Sequence, residues 1–503
     1  MAHSTPRPKP WPNLTNPAGA PIDIQNGKRI KLKIADGTTN CLTDCASGKQ
    51  KGCLVAKGHL EIQGSGSLTV NANTAHAIYA KEYITIKNAS LTVTSAVKDG
   101  LNCNQYFEMK SGSLNISGVN DDGIQVSFKD DVDREAEDTG SITISGGTIN
   151  VTATATAAKA IKADGDITIS GGTIIASVSG GGKWDESAVK TKASSCISAD
   201  GNIDVTGGTL NLSATGSAGK GISVDGDLTI SGGDLTISTT GGIFAYVNGK
   251  EYTDYTGNTD NLNSDYKSSP KGIKADGNIT IDGGKINVST TGHGGEGIES
   301  KAVMTINDGE IKVHSYDDGL NSSSHMYING GDITVIATNN DGLDSNGNMY
   351  IRGGIIRAFG ATSPECGIDA NEEEGYTVIF TGGTLIAVGG GNSTPSSSES
   401  TQPYVSGSSS VTASSTVTLK SGDTVLATFE IPENYSSGSS SSGPGGGGWG
   451  GGGGWGGSRS SSVLITCPGL TSGSSYTLVS GTSSSTVSAR LTGSSGGGPG
   501  GRW

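Results

Sequence analysis

The sequence predicts an all-β fold, a right-handed parallel β-helix that winds as a solenoid of about 12 coils and carries a small C-terminal β extension. The first observation is internal repetition: the unit Ile161-Lys-Ala-Asp-Gly returns at Ile273, and most repeats begin 22 to 25 residues after the previous one. The second is composition, because the 503 residues include 82 Gly and only 5% aromatic residues. Short repeats with few large side chains favour a thin stack of units over one layered core.

Each repeat contains three short segments of alternating apolar and polar residues, such as Ile167-Thr-Ile, separated by Asp-Gly and Gly-Gly pairs. Alternation with a period of two is typical of strands, and it points Ile and Val inward and Thr, Asn and Lys outward. Three strands per coil follow, each stacked on its equivalent in the next coil. Neither the leucine-rich repeat signature nor the longer unit of a β-propeller is present. The first apolar residues of the repeats are Leu54, Ile78, Leu101, Ile124, Ile161, Ile197, Ile222, Ile273, Ile298, Leu320, Leu343 and Ile368.

The spacing also predicts the domain organisation. Long steps between repeats indicate insertions on the coil wall at residues 128–138, 180–194 and 242–268, and a solenoid often builds its binding site from such loops. The predicted segments are an N-terminal extension (1–23), the parallel β-helix (24–390), a Ser/Gly linker (391–410), a small β cap (411–493) interrupted by a Gly/Trp-rich insert (438–462), and a disordered tail (494–503).

Charge and motifs exclude several functional classes. The net charge is −14 and the pI is near 4.9, which argues against a nucleic-acid partner. No apolar stretch reaches the roughly 20 residues of a transmembrane segment, and residues 1–12 lack the apolar core of a signal peptide. We nevertheless expect a secreted or cell-surface protein, because Cys41, Cys45 and Cys53 lie close together and suggest at least one disulfide. Buried reduced thiols are the alternative.

The repeat register turns scattered charges into rows along the coils. Two positions before the first apolar residue, acidic residues cluster in two places, and repulsion between stacked carboxylates would be relieved by a bound cation. Carboxylate oxygens suit Ca²⁺, and we expect one or more ions. Solvated acidic turns are the alternative. The candidate ligands are Asp99, Asp121, Asp122 and the loop residues Asp130, Asp131 and Asp133 in one group, and Asp317, Asp318, Asp341 and Asp344 in the other.

Between the two acidic groups the same register predicts a basic strip. An extended anionic polymer lying along the coil axis could contact these amines, with calcium bridging at the ends. The alternative is that alternating charges only prevent association of strand edges. The candidate glycan-binding residues of this strip are Lys159, Lys162, Lys220, Lys271 and Lys274.

Several ordered motifs support a family resemblance. Residues 34–44 (Ile-Ala-Asp-Gly-Thr-Thr-Asn-Cys-Leu-Thr-Asp), residues 56–70, and Asp121-Asp-Gly-Ile-Gln followed by the acidic loop resemble the calcium-binding, polygalacturonate-binding β-helix family of bacterial surface proteins, the carbohydrate-binding domain proteins. The resemblance covers roughly residues 24–390. It implies export, calcium sites supplied by the acidic loop, and a fold similar to family 9 pectate lyases. Asn104 and Ser127 depart from the family pattern, which has Lys there.

We therefore expect an extracellular protein that binds acidic polysaccharide, pectin-like or polygalacturonate, together with calcium. One alternative is a calcium-dependent polysaccharide lyase in which Lys159 is the base, because β-elimination needs a base beside a cation. Another is a structural or adhesive cell-surface solenoid. Apart from that candidate base, no catalytic residue is predicted, since no Ser-His-Asp, His-Glu-x-x-His or Cys-x-x-Cys arrangement is found.

Overall fold

A computed structural model describes residues 13–128, 138–259, 261–436 and 461–493. The chain divides into two units, Met1–Gly295 and Glu296–Trp503. Within the described residues the only helices are the single 3₁₀ turns Ser264–Tyr266 and Glu372–Glu374. Almost all regular structure is therefore β, and the parallel β-helix predicted from the repeats is confirmed.

In the first unit, three parallel sheets form the walls of the solenoid, named here by their order within a coil. The first sheet contains Leu14–Thr15, Thr39–Thr43, Ser67–Asn71, Ala89–Ser95, Gly112–Val119, Thr148–Ala153, Thr173–Val178, Thr209–Ala214, Asp234–Thr239 and Lys285–Thr290. The second contains Ile22–Ile24, Gly52–Ala56, His76–Ala80, Leu101–Cys103, Ile124–Val126, Lys159–Ala163, Ser195–Ala199, Lys220–Val224 and Lys271–Ala275. The third contains Arg29–Lys33, His59–Gln63, Ile84–Lys87, Tyr106–Met109, Ser141–Ile144, Ile167–Ile169, Ile203–Val205, Leu228–Ile230 and Ile279–Ile281.

The second unit repeats this pattern and ends in an antiparallel cap. Its first sheet contains Glu310–Ser315, Asp332–Ala337, Ile355–Phe359 and Thr384–Gly389, extended antiparallel by Ser461–Thr466 and Tyr404–Ser409. Its second sheet contains Glu296–Ser300, Leu320–Ser322, Leu343–Ser345 and Ile368–Asp369. Its third sheet contains Met304–Ile306, Met326–Ile328, Met349–Ile351 and Val378–Phe380. The cap contains Thr424–Glu430, Thr416–Ser421, Ser475–Ser480 and Ser483–Ser488.

The predicted register is the observed one. In the second sheets, first apolar residues pair with their equivalents in the next coil, as Ile161 does with Ile197 and Leu343 with Ile368. These side chains point inward and are fully buried. The row that contains Lys159 is likewise in register, because Lys159 pairs with Ser195 and Ser195 with Lys220. Outward positions of successive coils therefore lie beside one another about 4.8 Å apart.

One glycine shows why Gly-Gly pairs mark the corners. Gly172 has φ +84°, and a Cβ placed there would lie 2.8 Å from the carbonyl oxygen of Gly147 in the neighbouring coil. A side chain at this position would meet both an unfavourable backbone conformation and a close contact. The pair thus allows each coil to turn directly above the previous one.

Two of the predicted insertions fold into small antiparallel elements. Residues 180–194 contain the hairpin Lys183–Asp185 and Lys190–Lys192, and residues 242–268 contain Phe244–Val247, Lys250–Tyr252 and Lys267–Ser268. The elements touch each other, because the Trp184 backbone N–H donates to Glu251 Oε1 at 2.7 Å and the Trp184 ring stacks on Tyr246 at 4.3 Å. Of the insertion 128–138, residues 129–137 lie outside the described residues.

The segment boundaries differ from the predicted ones in two places. Leu14–Thr15 and Ile22–Ile24 already pair with the next coil, so pairing starts before residue 24. Tyr404–Ser409 is a strand within the predicted linker, because its partner Ser461–Thr466 presents backbone groups that need hydrogen bonds. Residues 437–460, most of the Gly/Trp-rich insert, and the tail 494–503 lie outside the described residues.

The structure contradicts the disulfide suggested by the sequence. All seven cysteines lie in the described ranges, and all are free thiols. Cys53 is buried inside the coil, whereas Cys41 and Cys45 are half-buried, and the Cys45 thiol lies 2.9 Å from Ser47 Oγ. Proximity along the sequence did not predict pairing, because Cys41 lies on a strand of the first sheet, Cys45 follows that strand, and Cys53 lies on a strand of the second sheet.

Candidate functional site

The first acidic group is built by stacked Asp-Gly corners that precede the second-sheet strands of the first unit. Asp99 Oδ1 accepts the backbone N–H of Asp122 at 3.2 Å, and Asp122 Oδ1 accepts that of Lys159 at 2.6 Å. Asp99 Oδ2 accepts the Asn102 side-chain amide at 2.7 Å and lies 3.0 Å from His76 Nδ1. Each carboxylate is thus held by the coil above it, which fixes its position.

This geometry brings three carboxylates together. Asp99, Asp121 and Asp122 each place an oxygen within 4.8 Å of the others, and in the described part of the chain no other set of three His, Cys, Asp or Glu residues does so. Asp99 and Asp122 are buried, whereas Asp121 is exposed. Asp122 Oδ2 accepts no hydrogen bond from the described residues, so it is available to a ligand. Converging oxygen donors with one exposed member suit a hard divalent cation such as calcium.

Burial has the largest effect on the pKa values of Asp121 and Asp122. Desolvation raises the pKa of Asp122 to about 7, although the Lys159 backbone N–H and ammonium act in the opposite direction. Although Asp121 is exposed, its neighbours partly desolvate the carboxylate, which raises its pKa, and Asp99 raises it further, while Lys183, Lys159 and His76 lower it. The cluster therefore combines desolvated carboxylates with nearby cationic groups that partly compensate their charge.

The structure brings the residues of the basic strip into one wall, but most of them are engaged. Lys220 and Lys271 are only 8% and 7% exposed, and Lys220 Nζ donates to Ser268 Oγ at 2.9 Å in the second folded insertion. Lys162 lies 3.7 Å from Asp164, and Lys274 pairs with Asp276. Contact of the strip with a polymer thus stays a prediction, and little of Lys220 and Lys271 is accessible for it.

Lys159, the candidate base, lies beside the acidic cluster. Its Nζ donates to the carbonyl oxygen of Ala157 at 2.7 Å. Burial lowers the pKa of the Lys159 ammonium, Asp122 raises it, and Lys162, Lys192 and Lys183 lower it further. A partly buried amine whose pKa is lowered has the property that a general base needs.

The second acidic group lies in the second unit. Asp318 Oδ1 accepts the Asp341 backbone N–H at 3.2 Å, Asn321 donates to Asp318 Oδ2 at 3.0 Å, and Asp317 Oδ1 accepts the Asn340 amide at 2.8 Å. Burial, followed by the charges of Asp317, Glu296, Asp344 and Asp341, raises the pKa of Asp318 well above its ordinary value. Burial also raises the pKa values of Asp341 and Asp344 to about 7.

Three predicted metal ligands cannot be compared with the structure. Asp130, Asp131 and Asp133 belong to the acidic loop and lie outside the described residues. The last described residue before these aspartates is held to the coil, because the Phe128 backbone N–H donates to Asp164 Oδ2 at 2.9 Å. The role of Asp130, Asp131 and Asp133 as calcium ligands stays a prediction.

Sequence reasoning missed a groove on the outer side of the second sheet near the start of the first unit. The groove consists of two adjoining cavities of about 480 and 350 Å³. Part of its lining comes from the outward position three residues after the first apolar residue of each coil. The Lys and Asn residues of this row could have been read from the repeat register. The residues shared by both cavities are Lys49, Gln50, Lys51, Tyr79 and Asn104.

Fold and site together define a parallel β-helix whose outer wall carries a buried acidic cluster and a lysine-lined groove. The family model of carbohydrate-binding domain-containing proteins matches residues 12–242, 198–295 and 290–431. These matches cover most of the chain, and the chain belongs to this family.

A carbohydrate-binding domain-containing protein of Acetivibrio thermocellus is 36% identical over 74 residues, which are 13% of this chain. The matched stretch spans 26% of that relative's own length, about a quarter of it. No solved structure matches the chain. Within the described residues, no helix has both the length and the apolar character needed to cross a membrane.

Proposed function

We propose that the protein is secreted or displayed at the cell surface and binds acidic polysaccharide, such as polygalacturonate or pectin, with calcium. Membership of the carbohydrate-binding family supports the general role. The observation that carries the proposal further is the convergence of Asp99, Asp121 and Asp122 on an outward coil corner. Calcium would supply positive charge there for the uronate carboxylates, and these three aspartates would hold the ion.

The two buried aspartates fit such an ion for different reasons. Asp99 is fixed by Asn102, His76 and the next backbone N–H, so it is oriented before any ligand arrives. Asp122 keeps one oxygen without a hydrogen bond from the described residues, and its burial makes the charged form costly without a cation. The buried carboxylates of the second acidic group would also be stabilised by a cation, but their oxygens do not converge as those of the first group do. We therefore propose the second group as a further calcium site of lower affinity.

Affinity electrophoresis through gels containing polygalacturonate tests the proposal. We expect retardation with calcium and its loss with a chelator. Asp121→Asn removes an exposed carboxylate that accepts no hydrogen bond from the described residues, and we expect it to weaken calcium binding about tenfold or more. The matched control is Asp204→Asn, which changes an exposed aspartate of the third sheet. Unchanged retardation in chelator would contradict the calcium requirement, and no retardation in either buffer would contradict acidic-polysaccharide binding.

Calcium-dependent β-elimination is the second candidate, favoured by the burial that lowers the pKa of Lys159. The Lys159 amine would remove the proton beside the uronate carboxylate, a C=C bond would form, and the glycosidic oxygen would leave and take up a proton. The unsaturated product absorbs ultraviolet light, so a calcium-dependent rise in absorbance that Lys159→Met abolishes would establish a lyase. Binding without that rise would leave the protein a binder only.

A further inference from the structure

The lysine-lined groove has the shape of a site for an extended ligand. Its lining runs from Asp23 through Val55, Tyr79 and Asn102, which occupy the same outward position in consecutive coils, and reaches Ser127 in the next coil. Four coil steps correspond to roughly 19 Å along the stack. The groove is therefore elongated parallel to the coil axis and would accommodate a chain segment better than a single compact molecule.

The centre of the groove presents hydrogen-bond donors. Tyr79 Oη accepts one hydrogen bond from Lys51 Nζ at 3.1 Å and another from Asn104 Nδ2 at 3.3 Å. The phenolic proton of Tyr79 has no acceptor among the described residues, although Tyr79 is only 6% exposed and Asn104 only 4%. A buried donor without a partner is costly, and an incoming acceptor would remove that cost.

The charge of the groove selects the kind of acceptor. Lys49, Lys51, Lys57 and Lys98 are exposed and Lys81 is half-buried, and all five line the cavities. Among the described residues that line the cavities, Asp23 is the only one with an acidic side chain. On a protein of net charge −14, this is a local positive surface. Lysine ammonium groups together with a phenolic O–H and an amide N–H match a carboxylate, which only accepts hydrogen bonds.

We propose that this groove binds a segment of acidic polysaccharide, with one uronate carboxylate accepting hydrogen bonds from Tyr79 Oη and Lys51 Nζ. The inference rests on the proposed function and assigns its polymer to residues outside the basic strip. The groove adjoins the acidic cluster, because His76 lines the larger cavity and contacts Asp99. A polymer in the groove would therefore pass next to the proposed calcium ligands.

Two conservative substitutions test this assignment. Tyr79→Phe removes only the phenolic O–H, and Lys51→Met removes the ammonium but keeps the aliphatic stem. For each variant we expect about tenfold weaker binding of an oligogalacturonate, the loss typical of one charge-assisted hydrogen bond. The measurement is isothermal titration calorimetry with calcium present, and thermal denaturation verifies that each variant is folded.

Controls separate this inference from the function on which it rests. Lys87→Met changes an exposed lysine of the third sheet, outside the groove, and should bind like the wild type. A methyl-esterified oligomer should bind the wild type weakly, and Tyr79→Phe should change that weak binding little, because the ester removes the acidic oxygen. If wild type and both groove variants bind oligogalacturonate equally, the groove assignment is overturned while the proposed function stands. If the wild type binds no acidic oligomer, both are overturned.

Discussion

The two acidic groups arise from the same local sequence and differ in what surrounds it. Asp99-Gly-Leu-Asn102 in the first unit and Asp318-Gly-Leu-Asn321 in the second use the same hydrogen bonds. In each, the Asp accepts the backbone N–H of the next aspartate in its row at 3.2 Å, and the Asn three residues later donates to its other oxygen. The motif alone therefore does not distinguish the two sites.

The neighbouring coils distinguish them. In the first unit the row of aspartates is flanked by His76 and Lys159, whose charges lower the pKa of Asp121. In the second unit the row continues to Cys366, and the charges that act on Asp318 are all acidic. In the first group the carboxylate oxygens converge and nearby cationic side chains partly offset their charge. In the second group the carboxylate oxygens converge less, and little positive charge lies near them. We expect the first to bind calcium more tightly and the second to depend more strongly on pH.

The largest expected effect is the pH dependence of stability without calcium. The folded-state pKa values of Asp122, Asp341 and Asp344 are about 7, above the ordinary 3.8, and that of Asp318 is also raised. The folded protein therefore holds protons that the unfolded chain releases, so its stability falls as pH rises from about 4 to about 7 and stays lower above that.

Chemical denaturation at pH 5 and pH 8 in chelator measures this fall, and the midpoint should be lower at pH 8. Calcium at a hundredfold excess over its dissociation constant should return about 2.7 kcal/mol at pH 8. The Asp204→Asn variant should keep the same pH slope, because Asp204 is exposed. A midpoint that rises between pH 5 and pH 8 in chelator would contradict the raised pKa values of these carboxylates.

An intermediate effect is expected from removing one charge in each group. Asp344→Asn should raise the free energy of unfolding by about 1 to 3 kcal/mol at pH 8 in chelator, because it relieves repulsion among buried acids. The matched variant Asp121→Asn should gain less, since Lys183, Lys159 and His76 already offset its charge. Denaturation in urea at pH 8 compares the two. Equal gains would show that the flanking cations do not distinguish the sites.

The smallest effect concerns the hydrogen bonds that both groups share. Asn102→Ala and Asn321→Ala should each lower the free energy of unfolding by about 1 kcal/mol, because each removes one amide donor from a buried carboxylate. Asn115→Ala, on the outer face of the first sheet, is the control and should change it little. A large difference between the two variants would mean that Asn102 and Asn321 do not play equivalent roles.

Much of the wall could be predicted from residues within one repeat. The period-two alternation is visible within a single coil, and the repeat recurs along the chain. The register that stacks Asp99 on Asp122 could therefore be read from the sequence. The burial of Lys220 could not, because Ser268 reaches it from an insertion 48 residues later in the chain. The row of residues along the groove could also be read from the register, but the burial of Tyr79 and Asn104 could not.

By itself, the sequence determined the β-helix, the order of its coils and the outward rows of charge, because hydrophobic periodicity acts locally and is repeated in every coil. Only the tertiary structure decided which of those charges remain accessible, which carboxylates converge and where donors are left without acceptors. Those properties depend on contacts between residues far apart in the chain. Burial strongly changes the free energy of a charged side chain, and the sequence of one repeat does not reveal how deeply that side chain is buried.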